Sequence, residues 1–209
     1  MDSKMINIII EALGQTIYMV FFSTLFASVL GFILGIIVTV TSPTGLRPNI
    51  FIYKSLDVII NVLRSFPFII LIVFIIPLTR AIVGTPIGET AAIVPLTIAA
   101  APFVARIIES ALKEVDPGVI EAAKSFGASN LQIIFKVMLK EAVPAIISGL
   151  TLTIINIIGY SAMAGSVGAG GLGKVAISYG YQRYQNDITF VTVVILLIIV
   201  NVIQGLGNY

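Results

Sequence analysis

The residues that come closest to a nucleotide-binding motif form a glycine-rich segment late in the chain, GAGGLGK at 168–174. This segment matches both G-x-G-x-x-G and the first seven positions of a P-loop, two patterns whose backbone N–H groups hold phosphates. A P-loop also needs Ser or Thr after its lysine to hold Mg²⁺, and Val175 occupies that position. Because neither pattern follows a soluble strand, we interpret the glycines as sites of close helix packing and of a re-entrant bend at the membrane surface.

Other kinds of chemistry are limited by the residue types that the chain lacks. The 209 residues include no Cys and no His, which excludes thiolate nucleophiles, disulfides, imidazole bases and the commonest zinc ligands. No carboxylate pair, Ser–Lys pair or metal-ligating cluster is evident. The formal net charge of +2 is too small to indicate a nucleic-acid partner. These absences remove much of enzyme chemistry, and the sequence shows no cofactor or metal site of the chain's own.

The composition indicates the environment in which the chain folds. Hydrophobic residues make up 58% of the sequence and charged residues 11%, and the mean hydropathy is +1.09. These values are typical of a polytopic membrane protein surrounded by lipid. The length suits a single domain over residues 1–209. No small-residue cleavage site follows the first apolar segment, so we expect that segment to be retained.

The uncharged runs predict an all-α protein with five transmembrane helices, since about 20 apolar residues cross a bilayer. The predicted spans are roughly 17–40, 58–78, 88–108, 145–164 and 188–205. Pro95 and Pro102 should distort the third span, which we place inside the bundle, where neighbours can satisfy the freed carbonyls. Lys and Arg concentrate between spans one and two and between spans three and four. This bias predicts that the N-terminus is outside and that the C-terminus and the long central loop are cytoplasmic.

The central loop, at about 114–141, has a pattern of its own. Asp116 can cap a helix that Pro117 begins, and Gly127 can end it in a left-handed conformation. Ser129 and Gln132 form a capping-box pattern for a second helix. The sequence therefore predicts two short helices with a kink between them, and this unit is a candidate docking surface.

The same loop resembles the cytoplasmic coupling loop of ABC-importer permeases. That motif is Glu-Ala-Ala, three residues, Gly, nine residues, then Ile-x-Leu-Pro; this chain has EAA at 121–123 followed by Gly127. Val137 takes the place of Ile, and Lys140 takes the place of Pro. The substituted proline leaves the end of the second helix undefined, whereas the Glu-Ala-Ala-to-Gly core is intact.

Further segments look like the permease subunit of methionine-uptake ABC importers, and the resemblance covers nearly the whole chain. They are RSFPFIIL at 64–71, AAIVPLT at 91–97, APFVAR at 101–106, GYSAM at 159–163 and GAGGLG at 168–173.

This resemblance implies a permease that translocates methionine across the bacterial cytoplasmic membrane by alternating access, with L- and D-methionine both candidate substrates. It implies a homodimer of this chain in membrane lipid, two cytoplasmic ABC ATPase subunits that bind ATP and magnesium, and an external methionine-binding lipoprotein. By this resemblance the chain itself is non-catalytic and binds no cofactor, and the ATPase subunits hydrolyse the ATP. By the same resemblance, Ala122, Ala123, Phe126 and Gly127 would dock into a cleft on each ATPase, helix into groove. Glu121 would either pair with a basic ATPase residue or stabilise the helix by placing its negative charge near the positive N-terminal end of the helix dipole.

The substrate path should lie at the dimer interface, lined by the fourth and fifth spans. Asn156, Tyr160, Ser161 and Met163 are the candidates by position and chemistry. Tyr and Met suit an apolar thioether side chain, but both are also ordinary packing residues of an apolar span.

Other functions remain open from the sequence. A permease for another amino acid or small solute would use the same coupling loop. An ion-coupled carrier or a channel would need no ATPase, but carriers usually place ionisable groups in mid-membrane, and the predicted span centres lack Asp, Glu, Lys and Arg. No inverted internal repeat is visible either. A membrane enzyme is the weakest alternative, given the residue types that the chain lacks.

Overall fold

The computed structural model describes residues 3–207, and all regular structure in that range is helical. The α-helices are α1 Ser3–Thr41, α2 Ile50–Ser65, α3 Phe68–Phe74, α4 Ile76–Val83, α5 Glu89–Lys113, α6 Pro117–Ser125, α7 Asn130–Gln132, α8 Leu139–Ser166, α9 Gly171–Val175 and α10 Asn186–Gly207. Two π-helical segments, Ile133–Met138 and Ala176–Tyr181, join α7 to α8 and extend α9. The predicted all-α fold is confirmed.

The centre of the molecule is the pair formed by α1 and α5. Glycines on α1 let the two helices approach closely: a Cβ at Gly31 would lie 2.5 Å from the Cβ of Val104, and one at Gly35 would lie 2.6 Å from the Cβ of Ile108. Neither distance is possible for real carbon atoms, so larger residues would force the helices apart. The small-residue face of α1 therefore packs within the chain.

Pro95 and Pro102 lie inside α5 without ending it. Both prolines are buried, and α5 packs against α1, α2, α3, α4 and α8. The prediction that this helix lies inside the bundle is confirmed, because its neighbours surround it along most of its length.

The second predicted span, 58–78, is not one continuous helix. Helix α2 ends at Ser65, α3 begins at Phe68, and the two axes are bent by 106°. Pro67 explains the break because a proline disfavours helical backbone in the residue before it. Phe66 accordingly has φ −77° and ψ 123°, which is extended. If α2 and α3 are counted together as one broken membrane span, residues 3–207 contain up to five candidate spans, the other four being long apolar helices.

The other four predicted spans lie within single helices, apart from residue 88. The fourth, 145–164, is the distal part of a helical run that extends from Asn130 to Ser166 through the π-helical segment. The first, 17–40, lies in α1, which begins 14 residues earlier at Ser3. The fourth span is consequently continuous with the helical segment that begins at Asn130 in the central loop, whereas α6 lies outside this continuous helix.

Candidate coupling surface and substrate path

The central unit, residues 116–138, has the local structure that its capping residues predict. Asp116 caps α6 by accepting a hydrogen bond from the N–H of Gly118 at 2.6 Å. Gly127 ends the helix at φ +78°, in the left-handed region. Ser129 and Gln132 form the reciprocal capping box: the N–H of Ser129 donates to Gln132 Oε1 at 2.8 Å, and the N–H of Gln132 donates to Ser129 Oγ at 3.4 Å. The predicted kink at Gly127 and the short first helix are confirmed, whereas the prediction of a second short helix is wrong, because the helix that begins at Asn130 continues through the π-helical segment and α8 to Ser166.

One face of this unit is apolar and uncovered, and we call it the α6 face. Val119, Ala122 and Phe126 are exposed on it, with Leu131 and Phe135 exposed nearby. The Phe126 side chain is 91% exposed, an unusual position for a phenylalanine unless another surface covers it. The spacing of three and four residues on α6 puts its apolar side chains on one side of the helix.

The opposite face of α6 packs on the chain's own core. Ile120, Ala123 and Ala128 contact a cluster of buried residues that runs from α5 through the π-helical segment. That cluster contains Ile108, Leu112, Val115, Ile133, Ile134, Met138 and Ala142. Helix α6 and the kink after it, which we call the α6 unit, thus pack against the ends of α5 and of the helix that leads into α8.

The five predicted coupling residues therefore occupy different surroundings. Ala122 and Phe126 lie on the α6 face and Gly127 is exposed at the kink, whereas Ala123 is half-buried against the chain itself. Glu121 is exposed and lines a cleft of about 320 Å³ together with Lys113 and Lys124. Lys113 is already paired with Glu109 at 2.7 Å, and no ion pair of Glu121 is found among residues 3–207.

A second uncovered face runs along α8 and is made of small, polar and flexible residues. Ser148, Leu152, Asn156, Gly159 and Met163 are exposed along it, at intervals of three or four. A Cβ at Gly159 would have nothing within 4 Å. An amide side chain in direct contact with lipid tails would lose its hydrogen bonds, so a face with Asn156 near its middle is better suited to protein or water.

The four predicted path residues do not all share this face. Asn156 and Met163 lie on it, and Tyr160 lies at its edge, half-buried. Ser161 is only 2% exposed, and its hydroxyl donates to the carbonyl of Ile158 at 2.7 Å. The structure thus places Ser161 in the helix packing, on a different side of α8 from Asn156.

Tyr160 stacks on an aromatic residue that the sequence did not indicate. The ring of Phe68, the first residue of α3, stacks on Tyr160 with the centroids 4.7 Å apart and the planes inclined by 15°. The break at Pro67 determines where α3 begins and therefore where this ring lies. Pro67 was the available signal, but its effect depends on a helix direction that the sequence does not specify.

A charged network connects α2 to α5. Arg106 donates to Asp57 and Glu109 and also to Asn61 Oδ1 at 2.8 Å. Lys113 donates to Glu109 Oε1 at 2.7 Å, and Glu109 is only 5% exposed. The pairing along α5 follows its i, i+3 and i, i+4 spacing, whereas the partners on α2 had no signal in the sequence.

The glycine-rich segment is used for packing rather than for phosphate. The N–H of Gly171 donates to Gln15 Oε1 at 2.8 Å and that of Leu172 donates to Thr16 Oγ1 at 2.9 Å. A Cβ at Gly173 would lie 2.2 Å from the carbonyl oxygen of Ala162. Amide groups that a nucleotide would need are already bonded to α1, which supports the packing interpretation. Within residues 3–207 no group of three or more acidic residues could hold a metal ion.

Comparison with known proteins identifies the class. The profile of the family described as "binding-protein-dependent transport system inner membrane component" matches residues 27–206. The chain belongs to this family of multi-pass inner-membrane permeases.

More particular relatives are permeases named for methionine. The chain is 52% identical over 202 residues to a probable D-methionine transport system permease protein of Vibrio cholerae serotype O1, covering 97% of this chain and 90% of that protein. It is 49% identical over 168 residues to the methionine import system permease protein of Bacillus subtilis, covering 80% and 76%. The resemblance to methionine-importer permeases found in the sequence is confirmed.

Solved structures agree in fold. A chain of the MetNI methionine ABC transporter in an inward-facing conformation matches with a TM-score of 0.98 and 45% identity, over 100% of this chain and 96% of that one. A chain of an amino acid ABC transporter crystallised with histidines matches with a TM-score of 0.80 at 22% identity, and this similarity supports the fold alone.

Proposed function

We propose that this chain is the membrane subunit of an ATP-driven importer of methionine, with L- and D-methionine as substrates. In this proposal two copies of the chain surround the path, and two cytoplasmic ATPase subunits carry ATP and magnesium. An external methionine-binding lipoprotein delivers the substrate. The N-terminus is outside the cytoplasmic membrane and the C-terminus is inside, so that the α6 unit faces the ATPases.

The observation that carries the proposal is the exposed α6 face on a permease whose glycine-rich segment is occupied by its own α1. No nucleotide site is formed in that segment, and Phe126 with Ala122 offers an apolar surface on which an ATPase partner would dock. Glu121 and Gly127 belong to this site, and Ala123 supports it from beneath.

The α8 face supports the position of the path. A second copy of the chain would cover Asn156, Gly159 and Met163 without exposing the amide to lipid, and the space between two such faces would admit a thioether side chain. Tyr160, held by Phe68, would line the edge of that space. Ser161 would stabilise α8 from the core side.

The mechanism follows from the shared core. Closure of the ATPases on ATP would move the α6 units, and the buried cluster that joins α6 to α5 and α8 would carry this motion to the path. Alternation between inward-facing and outward-facing states requires that ATP bind the two states with different free energies.

The test is uptake of labelled methionine into proteoliposomes that contain this chain and its cognate ATPase, with the external binding protein supplied. We expect uptake that requires ATP and all components and that unlabelled L- and D-methionine inhibit. Inhibition by a different amino acid, with none by methionine, would overturn the substrate. Uptake that follows an ion gradient without the ATPase would overturn the energy source.

A further inference from the structure

The turn that leads into α10 carries two tyrosines on its outside. Tyr181, the last residue of the π-helical segment, is 77% exposed, and Tyr184, in the turn before α10, is 87% exposed. Beside them the guanidinium of Arg183 lies over the ring of Tyr179, 4.4 Å from its centroid. Tyr179 is itself half-buried and packs on the cluster around Leu172.

This turn is firmly attached to α10. The N–H of Gln185 donates to the carbonyl of Gly180 at 2.9 Å. A Cβ at Gly180 would lie 2.0 Å from Thr189 Oγ1, so the glycine allows the turn to pack directly on the first turn of the helix. Tyr184 adopts φ +57°, in the left-handed region, which is a strained conformation for a residue with a side chain. The exposed position of the Tyr184 ring is therefore accompanied by backbone strain at this residue.

The charge pattern of α10 indicates the depth of these rings. The helix carries no charged residue from Ile188 to Gly207, so an apolar run long enough to cross the ~30 Å hydrocarbon core of a bilayer begins directly after Asp187. The residues just before Asn186 then lie at the level of the lipid headgroups. Tyrosine is suited to that level because its ring is apolar and its hydroxyl is polar. A guanidinium beside the rings matches the geometry of a lipid phosphate.

We propose that Tyr181, Arg183 and Tyr184 form an anchor that binds phospholipid headgroups at the N-terminal end of α10 and fixes the depth of that helix in the bilayer. The occupant of this exposed aromatic surface is the membrane–water interface, on which the two tyrosine rings rest while Arg183 binds phosphate. The inference depends on the membrane insertion of α10 and is independent of the transported substrate.

The test uses the fact that the chain contains no Trp. Tyr184→Trp gives the full-length chain a single indole, whose fluorescence is measured in phosphatidylcholine vesicles with bromine near the headgroup, at mid-chain or at the chain end. We expect quenching by the shallow bromine to exceed quenching by the deepest by at least about twofold, because these positions are separated by much of the ~15 Å half-thickness of the hydrocarbon core.

Two variants calibrate the measurement. Phe126→Trp places an indole on an equally exposed position of the α6 face and should be water-like and unquenched by every lipid. Leu197→Trp, in the middle of α10, should be quenched most by the deepest bromine. Water-like emission from Tyr184→Trp without lipid quenching would overturn the anchor. So would protection that develops only when the external binding protein is added, because the surface would then belong to a protein partner.

A second measurement does not depend on the indole at the turn. In the Leu197→Trp background, the pair Tyr181→Ser and Tyr184→Ser should shift the depth profile of the Leu197 indole, because α10 loses its fixed position. An unchanged profile would overturn the proposal.

Discussion

Replacement of Phe126 by alanine tests the α6 face most directly, because the Phe126 side chain packs against almost nothing within the chain. With its side chain 91% exposed, the substitution removes almost no internal contact. We therefore expect the thermal stability of the purified chain to change by no more than about 0.5 kcal/mol.

Binding of the ATPase should respond very differently. Full burial of a phenylalanine is worth roughly 1.5–3 kcal/mol, and about 1.4 kcal/mol corresponds to tenfold in affinity. Phe126→Ala should thus weaken the binding of the detergent-solubilised chain to its ATPase by about 10- to 100-fold, as measured by titration with labelled ATPase.

Phe190 supplies the matched control. It is 70% exposed near the opposite end of the molecule, in the first part of α10, so Phe190→Ala removes the same side chain from a surface that the ATPase should not reach. The reasoning is refuted if Phe126→Ala leaves the affinity unchanged, or if Phe190→Ala lowers it equally.

Three further predictions concern the backbone and the charged network. Gly127→Asn should retain more uptake than Gly127→Val, because asparagine tolerates the left-handed φ of +78° and a β-branched residue does not; equal uptake would count against the kink. Asp57→Asn should lower the free energy of unfolding by about 1 kcal/mol, measured by thermal unfolding, because Arg106 loses an ionic partner on α2. An unchanged free energy of unfolding would mean that this ion pair does not stabilise the chain. Gly173→Ala should lower the free energy of unfolding by about 1–3 kcal/mol, because the added methyl group overpacks the contact with α8. Gly159→Ala should leave the free energy of unfolding of the isolated chain almost unchanged, and equal losses in the two variants would contradict the packing derived from the Cβ distances.

The parts of the site that the sequence predicted are those with local causes. Asp116, Gly127 and the Ser129–Gln132 pair act on backbone within three residues of themselves, so their spacing was sufficient to define the kink. Helical periodicity would also have separated Ser161 from Tyr160, since adjacent residues on a helix lie about 100° apart.

The parts that the sequence did not predict depend on distant neighbours. Pro95 and Pro102 lie inside α5, as the sequence predicted, but the 106° bend at Pro67 was not predicted, since 58–78 was expected to be one span. The direction that α3 takes after Pro67 depends on its packing against α5 and α8. The pairing of Asp57 with Arg106 joins residues 49 positions apart, for which no local pattern exists.

The backbone N–H groups of Gly171 and Leu172 donate hydrogen bonds to the side chains of Gln15 and Thr16, 156 positions away in the sequence. These bonds have a consequence for biosynthesis. Helix α1 is synthesised first and can pack on α5 as soon as α5 is made, yet the backbone groups that bond Gln15 and Thr16 belong to the last fifth of the chain. These two hydrogen bonds can therefore form only after α9 has been synthesised, and chains interrupted before residue 171 would lack them.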